Sequence, residues 1–170
     1  ALTIYHDLLN TDEIQINVRR LNNLIKENGY HIACGIFGTK ALFNVLSDNG
    51  FADTVYKMIT VPGMPGYAHW VNSGMTTLCE CWDMSESLNH HMFSEVDMWF
   101  YKYLAGISIS FGKAVIRPCF LKELSYVKAH CRGIYVEWNK SEITVKSDLP
   151  FVLKLNGRQY SKSGTRKIRK

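Results

Sequence analysis

No stretch of this chain approaches the roughly eighteen consecutive apolar residues of a membrane-spanning helix, so no membrane partner is expected. Yet 46% of its 170 residues are apolar, enough to bury a real core as one large or two small domains. The opening ALTIYHDLLN has no basic n-region and is not read as a signal peptide. It also lacks a helix cap and an initiator Met, so the chain reads as cut from something longer and its compartment stays open. Cysteine is sparse and unpatterned: Cys34, Cys79, Cys81, Cys119 and Cys131 form no CxxC and no knuckle spacing. Free thiols are expected, with Cys34, Cys119 and Cys131 in apolar surroundings. Acid is what the C-terminus lacks. The segment 162–170 carries Lys162, Arg166, Lys167, Arg169 and Lys170, and without it 15 basic residues face 15 acidic ones. A basic tail can bind phosphates, but no recognition helix or aromatic RNA-binding signature accompanies it. The expectation is a solvated, disordered tail over 162–170 and no nucleic-acid partner.

What is present has two periods. In DEIQINVRRLNNLIKENG, Ile14, Val18, Leu21 and Ile25 recur at helical steps on one apolar face. Thr11 is placed to cap its start, Asp12 and Glu13 suit the positive end, and Gly29 suits the stop. GTKALFNVLSDNG makes a second helix ending at Gly50, and Ala52, Val55, Tyr56 and Ile59 line a short third. VPGMPGY then breaks the chain. A fourth helix is expected from about Ser87 to Leu104, with Met92, Val96, Trp99 and Tyr103 on a core-facing stripe. After Gly106 the period is two. ISISF, KAVIRP, LSYVKAH, RGIYVEW, SEITVK and FVLKLNG read as strands, with turns at Asn139–Lys140 and Asn156–Gly157. Helices followed by strands predict an α part and then a β part, in two domains. The helices are too few to close a helical toroid, so the α part reads as a partial layer.

The chemistry-bearing residues concentrate in GMTTLCECWD, starting at Gly74, and in SLNHH just after it. Thr77-x-x-Glu80 matches a capping box, in which each side chain satisfies a backbone amide at a helix start. In that first turn a glutamate would also feel the positive end of the helix, which favours its ionised form. An ionised carboxylate cannot donate a proton but can serve as a general base toward water. Cap and base both remain open at this point. Cys79, Cys81 and the histidines raise a metal site, but residues two apart on a helix point about 200° away from each other. No metal is therefore expected. His31-x-x-Cys34 lacks a third, orienting group and reads as a core cysteine. Trp82, Trp70 and Tyr67 fit core filling, or stacking against a sugar whose hydroxyls would meet Asn89 and His90. Aromatic rings and short polar groups around a carboxylate are what a carbohydrate pocket is made of.

The order of the motifs resembles a known family. HIACGIFGTKALFNVLSDNGFADTVYKMI, PGYAHWVNSGMTTLCECWD and SLNHHMFSEVDMWFYKYLAGI follow one another here. They resemble the C-terminal third of bacterial α-L-rhamnosidases, with their Gly-x-x-Gly-Thr stretch, Pro-containing aromatic loop, Gly-x-Thr-Thr-x-x-Glu-x-Trp, Asn-His pair and helix ending in Leu-Ala-Gly-Ile. AHCRGIYVEW and FVLKLNG look like that family's small C-terminal β-sandwich, so the likeness spans nearly the whole chain. It implies the last helices of a partial (α/α) six-hairpin toroid over 1–106, then a small antiparallel β-sandwich over 107–161. It implies a parent glycoside hydrolase that cleaves terminal α-L-rhamnosides with inversion, with no cofactor, acting on a rhamnose-containing glycoside or polysaccharide. Carried over residue by residue, Glu80 falls on the general base, His90 on a rhamnose-binding histidine and Trp82 on a pocket aromatic. Tyr67 and Asn89 complete the substrate-binding set.

The resemblance places the general acid in an Asp/Glu-rich segment far upstream, which this chain does not contain. The chain alone is then expected to be inactive and, with helix faces lacking their neighbours, to self-associate. It departs from the family at Cys79, where tryptophan is usual, at Cys81, often basic, and at Tyr67, typically tryptophan. Those changes bear on the pocket walls more than on the reaction. Two other readings stay open: a non-catalytic carbohydrate-binding or structural module, and another toroidal hydrolase or lyase. In an enzyme Glu80 should face an open concavity near Trp82 and His90. In a module it should be held by amides at its own helix start.

Overall fold

The computed structural model describes residues 1–169. The chain divides into two compact units, one from Ala1 to Val96 and a second beginning at Asp97. The boundary thus falls earlier than the expected 106. The helical stretch after Val96 belongs with the strands, because Trp138 Nε1 donates to the Leu104 carbonyl at 2.7 Å and the Cys119 amide to that of Tyr103 at 2.8 Å.

The first unit is helical: α1 (Leu2–Tyr5), α2 (Thr11–Glu27), α3 (Ile36–Asp48), α4 (Ala52–Thr60) and α5 (Tyr67–Asn72). Helix α3 is its hub, packing against α1, α2, α4 and a 3₁₀ turn at His91–Phe93. It buries Ala41, Leu42, Phe43, Val45 and Leu46 in succession, which explains why its sequence is apolar nearly all round. Gly38 of the Gly-x-x-Gly-Thr stretch has a packing reason. A Cβ there would stand 2.8 Å from the Cys34 Cβ. Helix α2 is capped by Asn10 rather than Thr11: Asn10 Oδ1 accepts from the Glu13 amide at 3.0 Å, and Glu13 Oε2 from the Asn10 amide at 2.9 Å. Where VPGMPGY suggested only a loop, α5 starts directly at Tyr67.

The expected fourth helix starts late. Backbone from Gly74 to His90 is irregular, and helical structure resumes with the 3₁₀ turn, then α6 (Glu95–Trp99) and a π-helical turn, Phe100–Leu104. Met92 is consequently exposed, and Phe93 takes its place in the core.

The second unit holds β1 (Ile107–Ser110), β2 (Lys113–Ile116), β3 (Tyr126–Cys131), β4 (Ile134–Asn139), β5 (Glu142–Leu155) and β6 (Arg158–Arg169). They form one six-stranded sheet in the order β1-β2-β5-β4-β3, with β6 also on β5. All pairings are antiparallel except β2 with β5. SEITVK and FVLKLNG are one strand, not two. The first half of β5 pairs with β4, Phe151–Leu153 pairs with β2, and β6 follows both halves. Between them Pro150 has no N–H for the ladder, and the register shifts between Ser147 and Phe151. The strand bends there, and both leaves of the sheet face one core that includes Trp138, Ile143, Val145, Phe151 and Leu153. An α part is thus followed by a folded β-sheet part.

The basic segment is not a disordered tail. Residues Lys162 to Arg169 are the distal part of β6, with Lys162 opposite Phe151 and Arg166 opposite Val145. Lys167 pairs with Glu142 at 2.9 Å, and the Arg166 guanidinium lies 5.1 Å from the Tyr160 ring. Its lysines and arginines suit an edge strand, where charge discourages further pairing. Lys170 lies outside the described residues.

Candidate active site

The segment after α5 is a loop fastened at both ends and in the middle. The Met75 amide returns to the Trp70 carbonyl at 3.0 Å, the Glu80 amide donates to Ser87 at 2.8 Å, and the His90 amide donates to Leu78 at 2.7 Å. Thr77 Oγ1 donates to the Leu88 carbonyl. At the tip Asp83 accepts from the Ser85 hydroxyl (2.7 Å) and amide (3.2 Å), bonds that hold its carboxyl below the usual aspartate range. Thr77-x-x-Glu80 is therefore not a capping box. No helix starts at Thr77, so neither the cap nor the helix-dipole argument for Glu80 applies. The threonine closes the loop instead. The helical argument against paired thiols also lapses, since Cys79 and Cys81 lie on this loop. Burial pushes the Cys79 thiol up, and Cys79 is the fully buried cysteine while Cys34, Cys119 and Cys131 are half-buried.

Trp82 nails the loop to the helices. Its Nε1 donates to the Cys34 carbonyl at 2.8 Å, and its own carbonyl accepts from Trp70 Nε1 at 3.0 Å. The two indoles stack with centroids 4.6 Å apart, Phe93 lies 4.2 Å from Trp82, and Tyr67 meets it edge-on at 5.2 Å. Tyr67 is buried, and its hydroxyl donates to the Phe93 carbonyl at 2.8 Å. The tyrosine is thus core, with no free face or hydroxyl for a sugar. Trp82 is half-buried and its indole N–H is already used.

The polar candidates are differently placed. Glu80 is half-exposed, and its carboxylate has no hydrogen-bond or ion-pair partner among the described residues. His90 is half-buried; its Nδ1 accepts from the Met92 amide at 3.4 Å. In the neutral ring that assigns the proton to Nε2, which remains available to donate. The His91 ring lies roughly parallel to it at 5.9 Å. Asn89 is exposed, with only its amide engaged by Ser87 Oγ at 3.4 Å. The loop's backbone bonds thus set Glu80 beside Ser87 and His90 beside Leu78, and Tyr67 is removed from the polar set.

Two clefts of the helical unit, of about 600 and 410 Å³, have walls that include none of Glu80, Trp82, Asn89 or His90. The smaller begins one residue on, at His91, and includes Lys40 and Glu95. Glu95, which no motif singled out, accepts from Asn44 Nδ2 at 2.7 Å across 51 residues of sequence. Such a long-range partner leaves no local signal.

Comparison with known proteins supplies the wider context. Residues 1–104 match the family described as the bacterial alpha-L-rhamnosidase 6 hairpin glycosidase domain. An alpha-L-rhamnosidase of Alteromonas sp. (strain LOR) is 28% identical over 141 residues, which cover 75% of this chain and 15% of that protein. The solved alpha-L-rhamnosidase of Dictyoglumus thermophilum superposes with TM-score 0.84 at 24% identity, over 99% of this chain and 24% of that one. The Streptomyces avermitilis alpha-L-rhamnosidase, solved in complex with L-rhamnose, gives TM-score 0.86 at 20% identity, over 98% and 20%. This chain therefore spans only a small fraction of the length of these relatives.

Proposed function

We propose that this chain, which belongs to the family of the bacterial alpha-L-rhamnosidase 6 hairpin glycosidase domain, carries the general base of a glycoside hydrolase that removes terminal α-L-rhamnose with inversion. Glu80 is that base. It takes a proton from the water that attacks the anomeric carbon from the face opposite the leaving group. His90 donates from Nε2 to a sugar hydroxyl, and Asn89 binds beside it. Trp82 and Tyr67 act indirectly, by holding the loop. The general acid and the remaining pocket walls come from other hairpins of a longer protein. The two carboxyls stand roughly 6.5–9.5 Å apart to admit the water.

The observation that supports this reading best is the unpartnered carboxylate on a loop whose neighbouring groups are tied. Glu80 is flanked by cross-loop bonds at Leu78 and by the Trp82 anchor, yet spends none of its own acceptors. A glutamate that meets a substrate need not be bonded until the substrate arrives. In the full-length protein, Glu80→Gln should fold normally while hydrolysis of an aryl α-L-rhamnoside falls by several orders of magnitude. NMR of the first product should show the inverted anomer. Near-normal turnover in Glu80→Gln would remove this residue from the mechanism, and a retained anomer would remove inversion. The 170-residue chain by itself should release no nitrophenol at an enzymatic rate.

A further inference from the structure

A wide cleft lies in the sheet unit, outside the Glu80 loop. It has a volume of about 770 Å³ and cationic walls: Lys122, Lys140, Arg158 and Arg169 border it. A second cleft of about 390 Å³ continues from it, sharing Phe120, Leu155, Asn156 and Arg158, and adds Arg117 and Lys154. No acidic residue lines either one. None of these six cations has an ion-pair partner among the described residues. Two acids of the unit are engaged: Glu142, opposite Arg169 in the β5–β6 register, pairs with Lys167, and Glu137 accepts from Tyr135; Glu123, the chain neighbour of Lys122, is exposed and not part of the lining.

The fold explains how these charges gather. The β5–β6 ribbon bends at the register shift after Ser147, where Gly164 stands opposite. Folding the ribbon back lets Arg158 and Arg169, from its two ends, border one cleft. Lys122 arrives on the β2–β3 connection and Lys140 at the β4–β5 turn. Gathering like charges without counterions costs free energy, and a polyanionic ligand relieves it.

The remaining walls narrow the ligand. Phe120 is 36% exposed and held edge-on to Trp138 at 5.1 Å, and Tyr160 is steadied by Arg166. Asn156 adds a free side-chain amide. An apolar ring face plus an amide suits the C–H face and hydroxyls of a sugar, whereas a single strand of nucleic acid uses a row of rings for successive bases. We infer that this groove is a non-catalytic binding site for an anionic oligosaccharide, one carrying uronate carboxylates or sulfate esters along its length.

This goes beyond the role of Glu80 and is tested without turnover. Calorimetry on the full chain would compare four probes of matched length: hexagalacturonate, a sulfated galactan hexamer, neutral cellohexaose and a DNA hexanucleotide. At least one anionic sugar should bind about tenfold or more tighter than both cellohexaose and DNA, and added salt should weaken it. The two sugar arms tell carboxylate from sulfate recognition. The double substitution Arg158→Gln/Lys140→Gln should weaken binding about tenfold, from two lost charge-assisted contacts. Lys113→Gln/Arg132→Gln removes the same charge outside the groove and should stay within about twofold. Urea unfolding of both variants checks that each is folded. Glu80→Gln should bind like the parent chain, so failure here is separable from failure of the proposed catalytic role. Binding to neither anionic sugar, equal binding of cellohexaose, tighter binding of DNA, or equal losses in the two double variants would each overturn the inference.

Discussion

Aromatic side chains near a carboxylate can hold a sugar or hold the protein, and at Trp82 the hydrogen bonds decide. An indole that donates to Cys34 and stacks on Trp70 is committed to the fold, as is a tyrosine whose hydroxyl is spent on Phe93. From sequence these rings and the truly open groups, Glu80 and His90, looked alike, because composition carries no record of which hydrogen bonds are already made. Trp82→Phe tests the distinction. It keeps a ring but deletes the indole donor, leaving the Cys34 carbonyl without that partner. The cost should be about 1–2 kcal/mol, read by urea unfolding of this chain with no sugar present. A loss below about 0.5 kcal/mol, the scatter of an ordinary surface change, would return Trp82 to the substrate-facing set.

At the scale of elements, legibility followed the range of the interactions. Strands β1 to β4 and the turns at Asn139 and Asn156 were readable because alternation and turn chemistry are local. Helices α2 to α4 were readable for the same reason. The loop was not: the Thr77 hydroxyl is satisfied by Leu88 and the Glu80 backbone amide by Ser87, partners that no window of four residues contains. The basic segment was misread likewise, since Lys162 and Arg166 form a strand only by pairing with β5. The junction before β1 shows how tight such non-local fits become. Gly106 has φ near +74°, and a Cβ there would lie 2.2 Å from the Arg117 carbonyl carbon and the Pro118 nitrogen. Backbone cannot yield as a side chain can. Gly106→Ala should therefore destabilise the chain by on the order of 3–5 kcal/mol, enough to leave a marginal unit unfolded. Chemical denaturation measures it, and a loss under about 1 kcal/mol would mean the contact relaxes.

For the whole molecule, the question is what its helical unit leaves uncovered. Amphipathic spacing told that α2 has an apolar face but not that it has two contact sides. Ile14, Val18, Leu21 and Ile25 turn inward, while Ile16 and Leu24 stay more than half exposed, as do Leu8, Phe37 and Val71. Beside them opens the apolar cleft of about 600 Å³ bounded by Leu21, Leu24, Ile25, Leu42 and Met58. In a family named for six hairpins, a unit with five α-helices exposes surfaces that further helices of the same kind would cover. Removed from those helices, the surfaces pair with each other because burying apolar area is favourable whatever supplies the partner. The 170-residue chain should therefore sediment faster as its concentration rises, and Leu24→Ser with Phe37→Ser should return it toward monomer without unfolding it. A concentration-independent monomer would show that these exposed side chains are tolerated singly by water, and that the helical unit needs no further hairpin to be soluble.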